Sequence, residues 1–439
     1  MTATYKASRF NVWQENREKT LLYNTFTTGL LKLDREHAGK IRGVLEDPQR
    51  ISALAESEVS LLRDNGFLLE AGIDEMEMLK YRYYRGVFGG KRLTITIIPT
   101  TNCNFACPYC FEHNKSHQRL SENDIAEIKL FLRKELKEMK PEAFSYGLYG
   151  GEPLLCLDLI ERLSSEIGRI CRELDIERAR DYILTNGYLL TERTADRLRK
   201  ANIDGLQISI DGNEADHNST RRLKNGAGTF RQVMDAIRTA ERHFSQVDVR
   251  INTNRNNYPG VVELIKKEPV FRSPRVNISI GNLRQYMGGE MERHQDTDCF
   301  TGREHQQIQQ SIYAVIRELD DKKSNLESRS NVFYTKLNYC GADQQKTFFI
   351  GPGAAVYKCA ERTDPGEEVG CIKNGELVPN QKYWEWFQNN PFKEAACGNC
   401  AYLPICMGGC PSARKRLKVP NDEMCGYWEH WLLKKLERS

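Results

Sequence analysis

The chain has 439 residues, of which 28% are charged, and its 64 basic and 60 acidic side chains leave a formal charge of +4. A balance that close gives no case for nucleic acid or an anionic membrane as partner, and no apolar run is long enough to cross a bilayer. The N-terminus, Met1-Thr-Ala-Thr-Tyr-Lys, lacks the apolar core of a secretory signal, so a cytoplasmic location is expected; in that reducing compartment 14 cysteines point to metal or clusters rather than disulfides.

Residues 1–85 open with three strand candidates, 10–13, 20–23 and 30–33, separated by the turn-forming Glu15-Asn16-Arg17 and Thr27-Thr28-Gly29. Helices are predicted over 35–45 and 51–65, the second with a partial apolar face of Leu54, Val59, Leu61 and Leu62 and a stop at Gly66. Phe67-Leu68-Leu69 reads as a short strand and 74–84 as a helical connector.

Behind an apolar strand at 93–98, the stretch Thr100 to Phe111 places Cys103, Cys107 and Cys110 in a C-x3-C-x2-C array. Three thiolates that close hold three irons of a 4Fe-4S cube and leave the fourth open to a substrate or cofactor. Closed zinc sites want four ligands and usually come as two C-x2-C pairs, so iron and sulfur are favoured here.

From residue 93 onward strands alternate with amphipathic helices, the pattern of a parallel α/β sheet or barrel. Further strands are predicted at 144–149, 182–185, 206–210, 247–253 and 276–280, making six. Ser121 and Asp124 read as a capping box for a helix whose Ile125, Ile128, Leu132, Leu136 and Met139 share a face; other helices cover 157–174, 191–201, 229–244 and 259–267. Cys171 falls on the apolar face of the first of these with Leu159, Leu163, Ile167 and Leu174, as a small buried hydrophobe does. Polar groups collect at the C-terminal strand ends, where βα barrels carry their sites: Gly150-Gly151-Glu152-Pro153, Asn186, Ser209 with Asp211, and Asn252. Asp211-x5-His217-x3-Arg221 follows the fourth strand.

The cysteine array, with Tyr109 before its last member and Gly150-Gly151-Glu152-Pro153 further on, resembles the radical S-adenosylmethionine (radical SAM) family. The resemblance implies a partial (β/α)6 barrel at 86–320. It makes Cys103, Cys107 and Cys110 ligands of a 4Fe-4S cluster whose open iron chelates SAM, which one-electron reduction cleaves to a 5′-deoxyadenosyl radical. Tyr109, Gly150, Gly151, Glu152 and Asn186 become cofactor-binding residues, Ser209 and Arg221 candidates for the SAM carboxylate, and Asn252 a contact to ribose or carboxylate. His217 is expected to be structural. Three strands, helices and a final strand make 1–85 similar to the winged-helix-like recognition element of peptide maturases, which captures a leader peptide as an added strand; the alternative is an extension that buttresses the barrel.

In 321–439 the array Cys397-x2-Cys400-x5-Cys406-x3-Cys410, with Cys340 and Cys359 before it and Cys425 after it, resembles the SPASM domain with two auxiliary clusters. Carried over position by position, Cys397, Cys400, Cys406 and Cys425 close one cluster, and Cys340, Cys359 and Cys410 hold the other. A zinc reading stays open for Cys397 and Cys400 alone. The second cysteine that sulfatase-maturing relatives place after the first is absent, with Asp343 to Lys346 in that window, so the latter cluster recruits Cys371 or keeps an open iron. Those relatives also carry a catalytic Asp directly after the cysteine matching Cys359. Here Ala360 stands there, with Glu361 next as the candidate base. Tyr427, Trp428, Trp431, Leu432 and Leu436 are spaced for the buried face of a last helix.

The expected function is that of a peptide maturase with three 4Fe-4S clusters and SAM, acting on a ribosomally made precursor peptide with a leader and fed by an external one-electron donor such as flavodoxin or ferredoxin. A thioether crosslink is the first choice. Alternatives are a carbon-carbon or other side-chain crosslink, formylglycine formation of the sulfatase-maturase type, and a non-enzymatic iron-sulfur electron carrier.

Overall fold

The computed structural model describes residues 4–15, 19–90, 92–110, 117–283, 298–300, 302–319 and 335–416, with Cys425, Leu432 and Leu436. It divides into two compact units, one of Met1–Gly90, Arg329–Gln345 and Trp386–Ser439, the other of Lys91–Ser328 and Lys346–Glu385.

The first unit contains β1 (Tyr5–Ala7), β2 (Asn11–Glu15), β3 (Thr20–Asn24), β4 (Leu30–Leu33), α1 (Arg35–Glu46), α2 (Glu56–Asp64), β5 (Leu68–Glu70) and α3 (Glu75–Phe88). β2, β3 and β4 form an antiparallel meander, with Val12 opposite Tyr23 and Leu22 opposite Leu31. β1 pairs antiparallel with β5; its three residues are too few to show a period. The helix predicted over 51–65 is broken: Pro48–Ala53 forms a 3-10 turn and Leu54 is extended, which lets the Leu54 side chain enter the core. α2 starts only at Glu56, where Glu58 accepts the Ala55 N–H at 2.7 Å.

Why the termini join is written in β3. The strand is buried along its whole length, and alternate side chains on a strand face opposite ways. Leu22 packs with Ile41, Val44, Leu62 and Phe67, whereas Leu21 and Tyr23 pack with Ile405, Leu432 and Leu436. Another cluster sets Phe10, Phe26 and the α3 residues Leu79, Tyr83 and Val87 against Cys397, Leu403 and Met407. Burying one such side chain is worth about 2 kcal/mol, so the meander and the C-terminal cysteine segment stabilise each other. Tyr427, Trp428 and Trp431 lie outside the described residues, whereas Leu432 and Leu436 are fully buried.

The second unit runs β6 (Thr94–Ile97), α4 (Glu122–Met139), β7 (Ala143–Phe144), β8 (Tyr146–Leu148), α5 (Leu157–Glu173), β9 (Glu177–Arg178), β10 (Asp181–Thr185), α6 (Glu192–Lys200), β11 (Ile203–Ile210), α7 (Glu214–Thr220), α8 (Phe230–His243), β12 (Gln246–Thr253), α9 (Tyr258–Lys267), β13 (Val276–Asn282) and α10 (Gly302–Leu319). After them come β14 (Thr347–Gly351), β15 (Ala355–Tyr357), β16 (Gly370–Lys373) and β17 (Glu376–Pro379). The six predicted strands are present and lie side by side in chain order, all parallel, as β6, β8, β10, β11, β12 and β13. The sheet does not stop at β6. β14 adds parallel to it, Thr347 opposite Thr94, and β15 to β17 follow antiparallel, giving ten strands in an α/β fold with a mixed sheet.

Local chemistry explains the element ends. Ser121 and Asp124 cap α4 reciprocally, Asp124 N–H donating to Ser121 Oγ at 3.1 Å and Ser121 N–H to Asp124 Oδ2 at 2.8 Å. Thr191 caps α6. Cys171 is fully buried on α5, as expected, and Cys156 is buried too. On β11 and β12, Leu206, Ile208, Ile210, Val247, Val249 and Ile251 are buried where α6, α8 and α9 pack on the sheet. The alternating residues Gln207, Ser209, Asp248, Arg250 and Asn252 are half-buried on the opposite face, so one face of this sheet is apolar and the other polar. No helix among the described residues is long and apolar enough to cross a membrane.

Candidate cluster and cofactor site

The loop after β6 is pinned at several points. Thr100 forms an antiparallel bridge with Arg119, and Phe105 with Leu223; Ala106 N–H donates to the Arg222 carbonyl at 2.8 Å and Lys224 N–H to the Asn104 carbonyl at 3.1 Å. Cys103, Cys107 and Cys110 are all half-buried on it. Burial raises the Cys103 thiol to about 11 and the Cys107 thiol to about 12, and each is pushed further by its neighbouring sulfurs. The three thiols therefore share one small region, and as free thiolates they would repel one another. Cationic iron removes that conflict, so the donor set fits a cluster. Among the described residues no three His, Cys, Asp or Glu side chains converge as a single-ion site does, but a cube binds each thiolate at a different iron.

The paired glycines after β8 serve this loop. Gly151 N–H donates to the Thr100 carbonyl at 3.1 Å and Glu152 N–H to the Asn102 carbonyl at 2.8 Å. A Cβ at Gly151 would lie 2.2 Å from Asn102 O, and Gly150 has a φ of +128° that side chains disfavour. What the missing Cβ atoms admit is thus the backbone of the loop that carries the three cysteines. Glu152 is fully buried. Its carboxylate accepts the Asn186 N–H at 2.7 Å, the Thr185 hydroxyl at 2.7 Å and the Leu154 N–H at 3.0 Å, tying the end of β8 to the end of β10. Burial raises its pKa, opposed by those three donors. Asn186 in turn donates to Asn104 Oδ1 at 2.8 Å, with its Nδ2 3.7 Å from Cys103 Sγ.

Asp211 is the hub of the polar network. Fully buried, it accepts from Asn252 Nδ2 at 3.1 Å, from the Thr220 hydroxyl at 3.0 Å and from the Tyr109 hydroxyl. Its carbonyl accepts Asn257 Nδ2 at 3.0 Å. Arg221 Nη1 donates to the Tyr109 oxygen at 3.0 Å, and its guanidinium sits 5.6 Å from the Phe105 ring centroid. Burial raises the Tyr109 phenol far above its ordinary value, although Arg221 pulls the other way, so the phenol remains a donor. The Arg221 Nε is buried and has no partner among the described residues, an orphan donor suited to an anionic group. Asn252 also accepts from Arg250 Nε at 3.3 Å.

The structure thus sets Cys103, Gly150, Gly151, Glu152 and Asn186 in one set of contacts and Tyr109, Arg221 and Asn252 around Asp211 in another, with the charges of Arg221, Cys103 and Cys110 all acting on Cys107. Ser209 is on β11 with Arg250 opposite it on β12, and among the described residues it makes no hydrogen bond to these groups. Glu361 is half-buried in the turn after β15, and in the sheet order β10, β8, β6 and β14 separate β15 from β11. Sequence reasoning passed over Asn104, Thr220 and Asn257, because an Asn or Thr in a loop reads as an ordinary turn residue. Asp211 stood in the motif, but its five-way role has no local signal.

The remaining cysteines separate by unit. In the first, burial raises Cys397 to about 11, with Cys425 and Cys400 pushing it further; Cys406 is raised to about 12 by burial and then by Cys400 and Cys397. Cys340 is coupled instead to Cys410: atoms packed around its sulfur raise it to about 11, and Asp343 and Cys410 push the same way, though the residue as a whole stays exposed. In the second unit Cys359 follows β15, and Cys371 on β16 lies opposite Ala355.

Three thiols on a pinned loop at the head of a parallel α/β sheet define a class, and comparison places it. Residues 97–280 match the Radical SAM superfamily, whose proteins bind SAM and a 4Fe-4S cluster, so the chain carries a domain of that kind over this span. It is 22% identical over 356 residues to the cysteine-type anaerobic sulfatase-maturating enzyme of Clostridium novyi, covering 75% of this chain and 90% of that one. It is 23% identical over 322 residues to the PqqA peptide cyclase of Granulibacter bethesdensis, covering 71% and 80%. Its fold is like that of Streptococcus suis SuiB bound to precursor peptide SuiA, with a TM-score of 0.54 and 14% identity over 94% of this chain and 97% of that one.

Two outcomes follow from this geometry. Gly151→Ala is expected to lower stability by about 1–3 kcal/mol, since an inserted methyl displaces packed backbone, and to reduce iron binding at the cluster loop; melting and iron content check both. His217, buried as expected, faces the Asp211 N–H at 3.4 Å through Nδ1 and Thr229 Oγ1 at 3.0 Å through Nε2. Burial lowers its pKa from 6.5 to about 3, with Arg221 adding to the effect. The folded ring stays neutral while the unfolded one takes a proton, so its stabilisation is complete above pH 6.5 and is lost as pH falls towards 3, at about 1 kcal/mol per pH unit. His217→Gln is expected to melt with a shallower dependence on pH below 6.5, measured by calorimetry.

Proposed function

We propose that this chain matures a ribosomally made precursor peptide, installing a crosslink, with a thioether as first choice. The observation that carries this reading is the N-terminal meander with α1 and α2, a strands-then-helices module that a minimal radical SAM domain does not need and that resembles peptide recognition elements. The matches to a peptide cyclase and to a fold solved with its precursor peptide support it. Cys103, Cys107 and Cys110 would hold the SAM-binding cluster, and the orphan Arg221 Nε with the Ser209 hydroxyl would take the SAM carboxylate. Two auxiliary clusters are part of the reading; the mutual influence of Cys397, Cys400, Cys406 and Cys425, and of Cys410 on Cys340, supports it. When bound, SAM and its cluster supply a 5′-deoxyadenosyl radical that takes a hydrogen atom from the peptide. Thioether formation then breaks one C–H and one S–H bond and forms one C–S bond. Glu361 is the candidate base for the thiol proton, and Cys340, Cys359 and Cys410, with Cys371 as a further candidate, would hold an auxiliary cluster able to accept the remaining electron; flavodoxin or ferredoxin would supply the electron that starts the cycle.

The sulfatase-maturase reading is favoured by one observation, the 90% coverage of the Clostridium novyi enzyme. Ala360 in place of the Asp after Cys359 weighs against it. Incubating the reconstituted protein with SAM, dithionite and either a cysteine-bearing peptide encoded beside its gene or a sulfatase-type cysteine peptide separates the two. Loss of two hydrogens from the first, with a thioether seen by tandem mass spectrometry, is expected; formylglycine in the second and no change in the first would replace the proposal. A protein lacking 1–85 is not a clean control, because β3 shares its core with the C-terminal segment. Weakening leader binding calls for point changes on the meander edge instead.

A further inference from the structure

In the first unit, Arg414 and Asp343 form an ion pair whose side chains are 1% and 3% exposed, with Arg414 Nη2 to Asp343 Oδ1 at 3.3 Å. Charges so deeply enclosed need further partners, and these partners are specific. Arg414 Nη1 donates to the Met407 carbonyl at 3.0 Å and the Gly409 carbonyl at 2.7 Å, and Nη2 to the Asn389 carbonyl at 3.0 Å. Met407 and Gly409 belong to the short span between Cys406 and Cys410, where Met407, Gly408 and Gly409 all have left-handed φ values of 49°, 73° and 71°. Of the three only Met407 carries a side chain that disfavours this conformation, and its carbonyl is one of those the guanidinium holds. On the other side, Asp343 Oδ2 accepts the Tyr339 N–H at 3.1 Å and the Asp343 N–H donates to the Cys340 carbonyl at 3.1 Å, so the side chain and the backbone of Asp343 together hold the turn that carries Cys340.

We infer that the Asp343–Arg414 pair is the positioning device of an auxiliary cluster: it fixes the Cys340 turn to the Cys406–Cys410 span and so sets two thiols for one cube before iron arrives. The inference rests on the auxiliary-cluster reading proposed above.

The test uses the full chain, reconstituted anaerobically with iron and sulfide, in four forms: wild type, Asp343→Asn, Arg414→Met, and the double change Asp343→Leu with Arg414→Met, which replaces the pair by apolar side chains of similar volume. Iron per chain, the electron paramagnetic resonance spectrum of the reduced protein, the melting of the iron-free form and 5′-deoxyadenosine release are read together. Expected is a loss of about four irons per chain, one cube, and of one paramagnetic signal in the Arg414→Met and double forms, with 5′-deoxyadenosine release retained. Full iron and an unchanged spectrum in any folded variant overturns the inference. So does collapse of every variant with loss of SAM cleavage, which makes the pair a general stabilising element. Wild type binding only about four irons leaves no auxiliary cluster and instead overturns the reading beneath it.

Discussion

Replacing Cys103, Cys107 and Cys110 together by alanine is expected to remove SAM cleavage by at least about a thousandfold, about 4 kcal/mol in barrier, while the protein still folds. The reason is where the sulfurs sit. They are half-buried on a loop whose position is fixed by others: the Thr100–Arg119 and Phe105–Leu223 bridges, the Gly151 and Glu152 amides, and Asn186 on Asn104. None of those ties uses a thiol. Melting of the iron-free variant should therefore stay close to wild type, while iron content falls by one cluster and 5′-deoxyadenosine disappears from the anaerobic assay with dithionite. A triple variant that still cleaves SAM would remove these cysteines from the chemistry altogether.

Asp211→Ala is expected to be the most damaging single change outside the cysteines, at about 3–5 kcal/mol, the usual effect of deleting one partner of a buried charged network. Three donors lose their acceptor at once: Tyr109, Thr220 and Asn252. Tyr109 is the more serious loss, because it also accepts from Arg221, and a freed phenol lets that guanidinium turn towards Cys107. The variant should melt well below wild type. Asp211→Asn keeps the shape and one acceptor, so it should recover much of the stability yet less of the SAM affinity, measured by titration calorimetry. Equal melting of Asp211→Ala and wild type would mean the network is decorative.

Local pattern made much of this legible. Leu206-x-Ile208-x-Ile210 and Val247-x-Val249-x-Ile251 alternate as half-buried strands do, and each lies where the alternation puts it. Three thiols at fixed spacing after a strand needed no third dimension. What escaped depends on distance along the chain. Thr347–Gly351 is as apolar as β6, but no periodicity says which strand it joins, and pairing choices of that range are not encoded locally. α10 carries Ile308, Ile312 and Ile316 at helical spacing, the last two buried, amid glutamines that mute the signal. In the site, the motifs named the residues but not their partners: Glu152 reads as a ligand contact, and only the coordinates show it braced by three donors of its own chain.

The placement of β14 beside β6 also bears on how the molecule is made. A ribosome releases β6, the cluster loop and β8 early, and those strands can zip together at once. The other flank of β6 belongs to Thr347–Gly351, which emerges only after α10 and everything before it. Until then Thr94–Ile97 is an open edge with unpaired backbone amides, the kind of surface that recruits foreign strands. Completion of the sheet is thus a late event in biosynthesis, and a nascent chain stalled before residue 347 is exposed to aggregation at that edge.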